Sequence, residues 1–170
     1  MLRVCFVCTG NICRSPTAEA VLRAQASAAG VGSRIVVDSA GLGDWHLGQG
    51  ADRRSLATLH AAGYELEHRA RQFDPAWFAT RDLIVAMDRS HLAALRSLAP
   101  DSAAASRVVL LRSFDPAVDR HEVGGLEVGD PYYGGPDGFG EVLAQIEAAC
   151  AGLLQELVAR LGVPRNTAER

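Results

Sequence analysis

The sequence predicts an α/β fold: a single doubly wound domain in which a four-stranded parallel sheet is flanked by helices on both faces. Short apolar stretches at residues 3–7, 35–37, 83–87 and 108–111 alternate with segments of helical periodicity. This order is typical of parallel strands joined by crossover helices. The stretch 83–87 is apolar on both faces, as expected for a strand buried within a parallel sheet. The 170 residues are enough to bury one substantial core without disulfides.

The helices follow from apolar periodicity and from glycines that end them. Helices are predicted at residues 17–29, 52–62, 75–79 (a short segment), 90–98 and about 139–161. Gly30 and Gly63 are the expected ends of the first two. The last helix has an apolar face predicted to be buried, formed by Val142, Leu143, Ile146, Ala149, Leu153, Leu157 and Leu161. Residues 113–140 are rich in Asp, Gly and Pro and predict a loop.

Composition limits the classes of function. We expect one domain at residues 1–163 followed by a short tail at 164–170. The formal net charge of −3 argues against a nucleic-acid binder, which usually has a basic face. No apolar run approaches the length of a membrane span, and the N-terminus lacks a signal segment. We therefore expect a cytoplasmic monomer that binds neither nucleic acid nor membrane, with export left open.

Four cysteines, Cys5, Cys8, Cys13 and Cys150, are too few for a secreted disulfide framework in a chain of this length. Cys5 and Cys8 have the spacing of half a zinc site, but no second pair of Cys or His has ligand spacing. Alternation along a strand also places these two thiols on opposite faces. We expect no metal and no cofactor, and Cys150 is expected in the core.

The most informative stretch runs over residues 4–16. A short buried strand leads into a tight loop that begins at Cys8 and contains Gly10 and Asn11, two residues that tolerate positive φ. Ser15 and Pro16 are typical of a helix start, as N-cap and first helical residue. A strand, a short loop and a helix N-terminus together form a cradle for an anion, because backbone N–H groups converge there.

Two side chains make this cradle a candidate reaction site. A cysteine at a helix N-terminus beside an arginine ionises more readily than a free cysteine, so we expect Cys8 to be a thiolate nucleophile. The guanidinium of Arg14, six residues later on the expected rim of the loop, matches two oxygens of a phosphoryl group. A lone Cys-x5-Arg pattern more often marks a structural cysteine and a surface arginine. Here the strand, the turn and the helix start all favour catalysis.

The run Cys8-Thr9-Gly10-Asn11-Ile12-Cys13-Arg14-Ser15-Pro16 resembles the signature loop of the low-molecular-weight protein tyrosine phosphatases. The resemblance covers nearly the whole chain and is closest to bacterial, particularly actinobacterial, members. It implies metal-independent hydrolysis of phosphotyrosine in proteins, and of aryl phosphates, through a phosphocysteine on Cys8. It also implies that the phosphate is bound by Thr9, Gly10, Asn11, Ile12, Cys13 and Arg14.

A phosphocysteine mechanism needs a proton donor for the departing oxygen. The loop 113–140 contains Asp130-Pro131-Tyr132-Tyr133, in which Pro131 restricts Asp130 to an extended conformation. Taken alone, an Asp-Pro pair is equally consistent with an ordinary turn. The resemblance assigns Asp130 as general acid and base, because the family carries its acid in an Asp-Pro-Tyr-Tyr motif.

Other polar and aromatic residues are assigned around the site. Aromatic side chains on loops suit the walls of a cleft for an aryl group, and the resemblance places Trp45, His46, Tyr132 and Tyr133 there. It also implies that hydrogen bonds among Asn11, Ser15, Ser39 and His68 support the loop. Without such support, His60, His91 and His121 are interpreted as solvated or packing residues, and Arg69 and Arg71 as a solvated basic edge.

Cys13 lies five residues after Cys8 and is by default a small buried apolar residue. The family is known for a disulfide between two such thiols, so the resemblance implies a redox role in which Cys13 captures an oxidised Cys8.

Other functions stay open. Arginine phosphatases resemble this loop but carry Thr at the position of Ile12, so phosphoarginine is the second substrate class. Arsenate reductases of this type use two further cysteines, and none lies between Cys13 and Cys150. A phosphocysteine carrier of a sugar transport system is less consistent with Arg14 and Asp130, because a carrier must protect its phosphocysteine from water. A non-catalytic phosphate-binding module has no support in the sequence.

Overall fold

A computed structural model describes residues 1–122 and 124–162. The predicted tail 164–170, together with residue 163, lies outside the described residues, so the domain boundary stays a prediction. The elements are β1 (Leu2–Cys8), α1 (Arg14–Ala28), β2 (Ile35–Gly41), α2 (Arg53–Ala61), β3 (Leu83–Ala86), α3 (Arg89–Leu98), α4 (Ser102–Ser106), β4 (Val108–Leu110) and α5 (Asp137–Arg160). Short 3-10 helices lie at Gly32–Arg34, Pro75–Ala79 and Leu111–Phe114.

The strands form one parallel sheet in the order β2-β1-β3-β4, which confirms the predicted fold class. β1 pairs with β2 on one side and with β3 on the other. The register places Cys8, the last residue of β1, beside Gly41, the last residue of β2. The carboxyl ends of the strands therefore meet at one edge, where ligands bind in open α/β sheets.

Alternation along β1 divides the core into two clusters. Val4, Phe6 and Cys8 face the larger cluster, which includes the buried residues of α1 and α5. Cys5 and Val7 face the smaller one, with residues of β3, β4, α3 and α4. Helices thus cover both faces of the sheet, and Cys5 and Cys8 point away from each other, as the alternation predicts.

Some predicted boundaries were wrong. α1 begins at Arg14, with Cys13 rather than Ser15 at the N-cap, because the Ser15 hydroxyl is bonded elsewhere. The short helix α4 was not predicted, since its few alanine-rich residues give little periodicity. β4 ends one residue early, and α5 begins at Asp137 instead of residue 139.

α5 is long and apolar enough, by length and composition, to cross a membrane. No apolar run of this length was predicted from the sequence. In the structure, the predicted apolar face packs in the core: all its residues up to Leu157 are buried, and Leu161 packs partly buried against them. An apolar core helix satisfies the same criteria of length and composition.

Candidate active site

Residues 8–14, here called the Cys8 loop, connect β1 to α1 at the carboxyl edge of the sheet. No side chain caps α1, so its first N–H groups are free of the usual capping partner and face the loop. Asn11 has φ of 56°, and no other non-glycine residue in the described ranges has positive φ. A Cβ on Gly41 would lie 2.9 Å from the Thr9 carbonyl oxygen, so glycine at this position lets β2 approach the loop.

Hydrogen bonds with residues behind the Cys8 loop fix Asn11 in its left-handed conformation. Its amide nitrogen donates to the Ser15 and Ser39 hydroxyl oxygens, each at 2.9 Å. Its amide oxygen accepts from the Arg71 backbone N–H at 2.9 Å. His68 Nε2 lies 2.7 Å from the Asn11 carbonyl oxygen, and because a carbonyl only accepts, Nε2 carries the proton. The residues expected to support the loop thus lie together behind it.

Two further residues extend this arrangement and were not predicted. The Ser39 hydroxyl, which accepts from Asn11, donates to Glu19 Oε2 at 2.5 Å. Glu19 is buried and also pairs with Arg23 at 2.6 Å. The expectation for Arg71 was incomplete, because its half-exposed guanidinium also donates to the Ser39 carbonyl oxygen at 2.9 Å. We call the following residues the rear network: Asn11, Ser15, Glu19, Ser39, His68 and Arg71.

The Cys8 thiol is buried at the base of the loop, 3.0 Å from the Ser15 hydroxyl. The same hydroxyl also reaches the Ala40 carbonyl oxygen at 3.2 Å. A hydroxyl has one proton to donate. While it donates to Ala40 it can only accept from the Cys8 thiol, and it is able to donate to the sulfur when Cys8 is a thiolate.

Arg14 is buried rather than exposed on a rim. Its Nη1 donates to Asp88 Oδ2 at 2.9 Å and to the Val128 carbonyl oxygen at 3.1 Å. Its Nη2 contacts Asp130 Oδ2 at 3.0 Å and the Thr9 hydroxyl at 3.4 Å. Two carboxylates and a carbonyl therefore orient one guanidinium at the Cys8 loop.

Asp88 and His91 also belong to the site. Asp88 was not predicted there, and the interpretation of His91 as a solvated or packing residue was incomplete, because its buried ring contacts the Thr9 hydroxyl. Burial opposes the ionisation of Asp88, but hydrogen bonds from Ser90 and from the His91 N–H, with the nearby charges, hold its pKa below the ordinary value. His91 Nε2 lies 2.8 Å from the Thr9 hydroxyl, and burial lowers the pKa of His91 to about 4. His91 is therefore neutral, and its buried Nδ1 lies 3.2 Å from Asp88 Oδ1 without the geometry of a hydrogen bond.

Asp130 contacts Nη2 of Arg14, whereas Asp88 contacts Nη1. Its Oδ1 accepts from the Tyr132 backbone N–H at 3.1 Å, and its Oδ2 pairs with Arg14. The Asp130 side chain is 42% exposed, so water and a leaving group have access to it.

A cavity of about 370 Å³ opens above the Cys8 loop. Trp45 is 67% exposed and Tyr133 90%, while the Tyr132 and Tyr133 rings meet edge to face at 4.8 Å. We call the residues at this mouth the rim: Trp45, His46, Tyr132 and Tyr133. The cavity is lined by Cys8, Thr9, Gly10, Ile12, Cys13, Arg14, Asp130 and the rim.

Cys13 lines the same cavity as Cys8, and both are free thiols. Burial raises the pKa of Cys13 to about 12, whereas the Ser55 hydrogen bond acts in the opposite direction. Cys13 is therefore protonated at neutral pH, and its redox role stays a prediction. Cys150 is buried in the core, as expected.

The chain is similar in sequence and in fold to known phosphatases. A sequence model described as "Low molecular weight phosphotyrosine protein phosphatase" matches residues 3–162. A low molecular weight protein-tyrosine-phosphatase of Streptomyces coelicolor is 59% identical, over 89% of this chain and 91% of the relative.

Two solved structures extend the comparison. A protein tyrosine phosphatase of Entamoeba histolytica superposes with a TM-score of 0.86 at 32% identity, covering 95% of this chain and 99% of the other. An arginine phosphatase of Drosophila superposes with a TM-score of 0.82 at 31% identity, covering 92% and 98%.

Proposed function

The chain belongs to the low molecular weight phosphotyrosine protein phosphatase family, and we propose that Cys8, Arg14 and Asp130 carry out its reaction through a phosphocysteine. The chain is a protein tyrosine phosphatase with phosphoprotein substrates. The observation that carries the proposed roles is the meeting of a thiol, a guanidinium and a carboxyl in one cavity.

In the first step the Cys8 thiolate attacks phosphorus in line with the departing tyrosyl oxygen. The S–P bond forms as the P–O bond to tyrosine breaks, and Asp130 gives its proton to the phenolate. A positioned acid of this kind accelerates a reaction by about 10²–10⁴-fold. The contact between the Asp130 carboxyl and Arg14 supports this role, because it places the carboxyl beside the group that holds the phosphoryl oxygens.

In the second step Asp130, now a carboxylate, takes a proton from water, which attacks the phosphocysteine. The P–S bond breaks, inorganic phosphate leaves and the Cys8 thiolate returns. The Ser15 hydroxyl, 3.0 Å from the sulfur, is able to donate to the thiolate and so stabilises it as a leaving group.

Arg14 and the backbone N–H groups of the Cys8 loop supply the charge stabilisation. Phosphoryl transfer depends mainly on positioning and on electrostatic stabilisation of three equatorial oxygens. Asp88 and Val128 fix one side of the guanidinium, so that its fork keeps one orientation through both steps. No step in this scheme requires a metal.

Phosphoarginine is the second candidate substrate, because an arginine phosphatase shares the fold at 31% identity. Ile12 lines the cavity in this chain, and we infer that its apolar side chain favours an aromatic leaving group.

The test compares phosphate release from a phosphotyrosine peptide and a phosphoarginine peptide, with chelator present, for the wild type and Cys8→Ser. We expect strong turnover of phosphotyrosine and a loss of at least about 10⁴-fold in the variant, which should still bind phosphate. Preference for phosphoarginine would keep the mechanism and overturn the substrate. A stable phosphocysteine without turnover would instead indicate a carrier.

We also propose that the protein acts as a monomer in the cytoplasm, without binding nucleic acid or membranes. All four cysteines are free thiols, which fits a reducing compartment. Gel filtration at several concentrations and cell fractionation test the two parts of this proposal.

A further inference from the structure

Arg54, the second residue of α2, connects that helix to the loop that carries Asp130. Its Nε and Nη2 donate to the two carboxylate oxygens of Asp52, at 3.0 and 2.9 Å. Its Nη1 donates to the Tyr132 carbonyl oxygen at 3.2 Å. One guanidinium therefore joins the N-cap of α2 to the second residue after Asp130.

Two aromatic rings hold the same guanidinium. The central carbon of the Arg54 guanidinium lies 4.7 Å from the ring centre of Phe139 and 5.3 Å from that of Tyr132. Phe139 is buried in the first turn of α5, so it gives the arginine a fixed surface. Stacking and the bidentate pair with Asp52 limit the directions in which Nη1 is able to point.

The loop around Asp130 is anchored differently on its two sides. Before Asp130, the Val128 N–H donates to the Met87 carbonyl oxygen at 2.8 Å and its own carbonyl accepts from Arg14. After it, within the described residues, the bond from Arg54 is the one hydrogen bond that joins residues 131–136 to a part of the chain outside residues 130–140. Arg54 thus supplies the downstream anchor.

This anchor continues to the acid and to the Cys8 loop. Tyr132 accepts from Arg54 through its carbonyl oxygen, and its own N–H donates to Asp130 Oδ1 at 3.1 Å. On the other side, the Asp52 N–H donates to the Ile12 carbonyl oxygen at 2.8 Å. Hydrogen bonds therefore connect both Asp130 and the Cys8 loop to the N-terminus of α2.

We propose that Arg54 is a positioning residue that orients Asp130 for proton transfer by holding Tyr132. This inference rests on the proposed role of Asp130 as general acid. Arg54 does not touch the reacting atoms; it fixes the carbonyl of Tyr132, whose N–H fixes the carboxyl. An acid displaced by about 1 Å loses on the order of 10²-fold in rate.

The test uses leaving groups that differ in their need for an acid. kcat/KM is measured with phenyl phosphate, whose phenolate leaves poorly, and with 2,4-dinitrophenyl phosphate, whose phenolate leaves unaided. We expect Arg54→Met to lose about 10- to 100-fold with phenyl phosphate and less than about threefold with the dinitrophenyl ester. Methionine should keep an apolar contact with Phe139, while it removes the hydrogen bonds, the charge and the contact of the guanidinium with the Tyr132 ring.

Arg53→Met is the matched control. Arg53 precedes Arg54 in the same helical turn, is exposed, and forms no side-chain hydrogen bond or ion pair with the described residues. It should retain wild-type rates with both esters. Arg54→Lys, which keeps the charge but not the two-pronged contact with Asp52, should fall between the wild type and Arg54→Met.

Combining the change with Asp130→Asn separates positioning from packing. If Arg54 acts through Asp130, adding Arg54→Met to Asp130→Asn should cause no further loss with phenyl phosphate. An equal loss with both esters, or a further loss in the double variant, would overturn the proposal. If Asp130→Asn itself left phenyl phosphate turnover unchanged, the proposed role of Asp130 as general acid would be wrong. If only Asp130→Asn were impaired, the inference on Arg54 alone would fail.

Discussion

The rear network and the rim lie on opposite sides of the same seven-residue loop and are built in opposite ways. Behind the loop, the side chains of Asn11, Ser15, Glu19 and Ser39 are buried and bonded to one another. In front, Trp45 and Tyr133 are mostly exposed. A buried polar group that loses its partner destabilises the fold, whereas an exposed aromatic ring hardly contributes to it. Geometry for the chemistry is thus set behind the loop, and contact with the substrate is left to the front.

Asn11→Ala should break the rear network most strongly. The variant removes both amide donors and leaves the Arg71 N–H without its acceptor, so we expect a loss of about 3 kcal/mol in unfolding free energy. We also expect kcat to fall, because the loop leaves its left-handed conformation. Urea unfolding and steady-state kinetics measure the two effects.

Asn11→Gly distinguishes conformation from bonding. Glycine adopts positive φ without strain but restores none of the hydrogen bonds. If the lost bonds dominate, this variant stays destabilised. Wild-type stability in Asn11→Gly would instead mean that the backbone angle alone matters, and the contrast between the two sides would then weaken.

His91 should make stability depend on pH. The folded-state pKa of His91, about 4, lies below its ordinary value of 6.5. As pH falls below 6.5 the unfolded chain binds a proton that the folded protein does not accept. Stability is therefore full above pH 6.5 and is lost down to about pH 4. The expected contribution of His91 to the loss between pH 7.5 and pH 5 is about 2 kcal/mol, measured by urea unfolding at each pH. His68, whose pKa is also lowered by burial, adds to the loss in the same direction.

His91→Gln provides the comparison for this pH effect. Glutamine does not titrate, so its unfolding free energy should fall less over the same range. The lowered pKa of Asp88 acts at lower pH, because its ordinary value is 3.8, and does not account for a loss above pH 5. If the unfolding free energies of wild type and His91→Gln fell in parallel as the pH is lowered, the assignment of the pH effect to His91 would be contradicted.

The chain has two tryptophans: Trp45 belongs to the rim, and Trp77 contacts Arg71 of the rear network. Replacing each of them tests the contrast between rim and rear network, with the smallest effects expected here. Trp45→Ala should change unfolding free energy by less than about 0.5 kcal/mol and raise KM for a phosphotyrosine peptide by about tenfold. The guanidinium carbons of Arg71 and Arg81 lie 4.6 and 4.7 Å from the ring centre of Trp77.

Trp77→Ala should do the reverse of Trp45→Ala. It removes the surface on which Arg71 rests, so stability should fall while KM changes little. Peptide kinetics and urea unfolding on both variants give the comparison. If Trp45→Ala destabilised the protein as much as Trp77→Ala, the rim would not be separable from the fold.

Local patterns explain what the sequence could predict. The strand order follows from apolar stretches, and Cys8 and Arg14 lie in one short run next to a helix start. Asp130 was assigned through its Asp-Pro-Tyr-Tyr motif and the resemblance, since no local signal relates it to Arg14. The Ser15 N-cap was wrong because the rear network uses its hydroxyl in place of the usual capping bond.

The residues that were missed make contacts across long stretches of chain. His91 meets Thr9 over 82 positions, and Asp88 meets Arg14 over 74. One signal was present for Asp88: it follows closely on a buried parallel strand, where polar residues gather at the carboxyl edge. No such signal marks Glu19, which lies within a helix among apolar neighbours and bonds to Ser39 20 positions away.

The single proton of the Ser15 hydroxyl links the nucleophile to the backbone of the sheet. If the hydroxyl donates to a Cys8 thiolate, the Ala40 carbonyl at the end of β2 loses that donor. A carbonyl that loses a hydrogen bond vibrates at higher frequency, so an isotope label on Ala40 would show the charge state of the sulfur by infrared spectroscopy. The vibration of this carbonyl at the edge of the sheet would thus indicate whether Cys8 is a thiol or a thiolate.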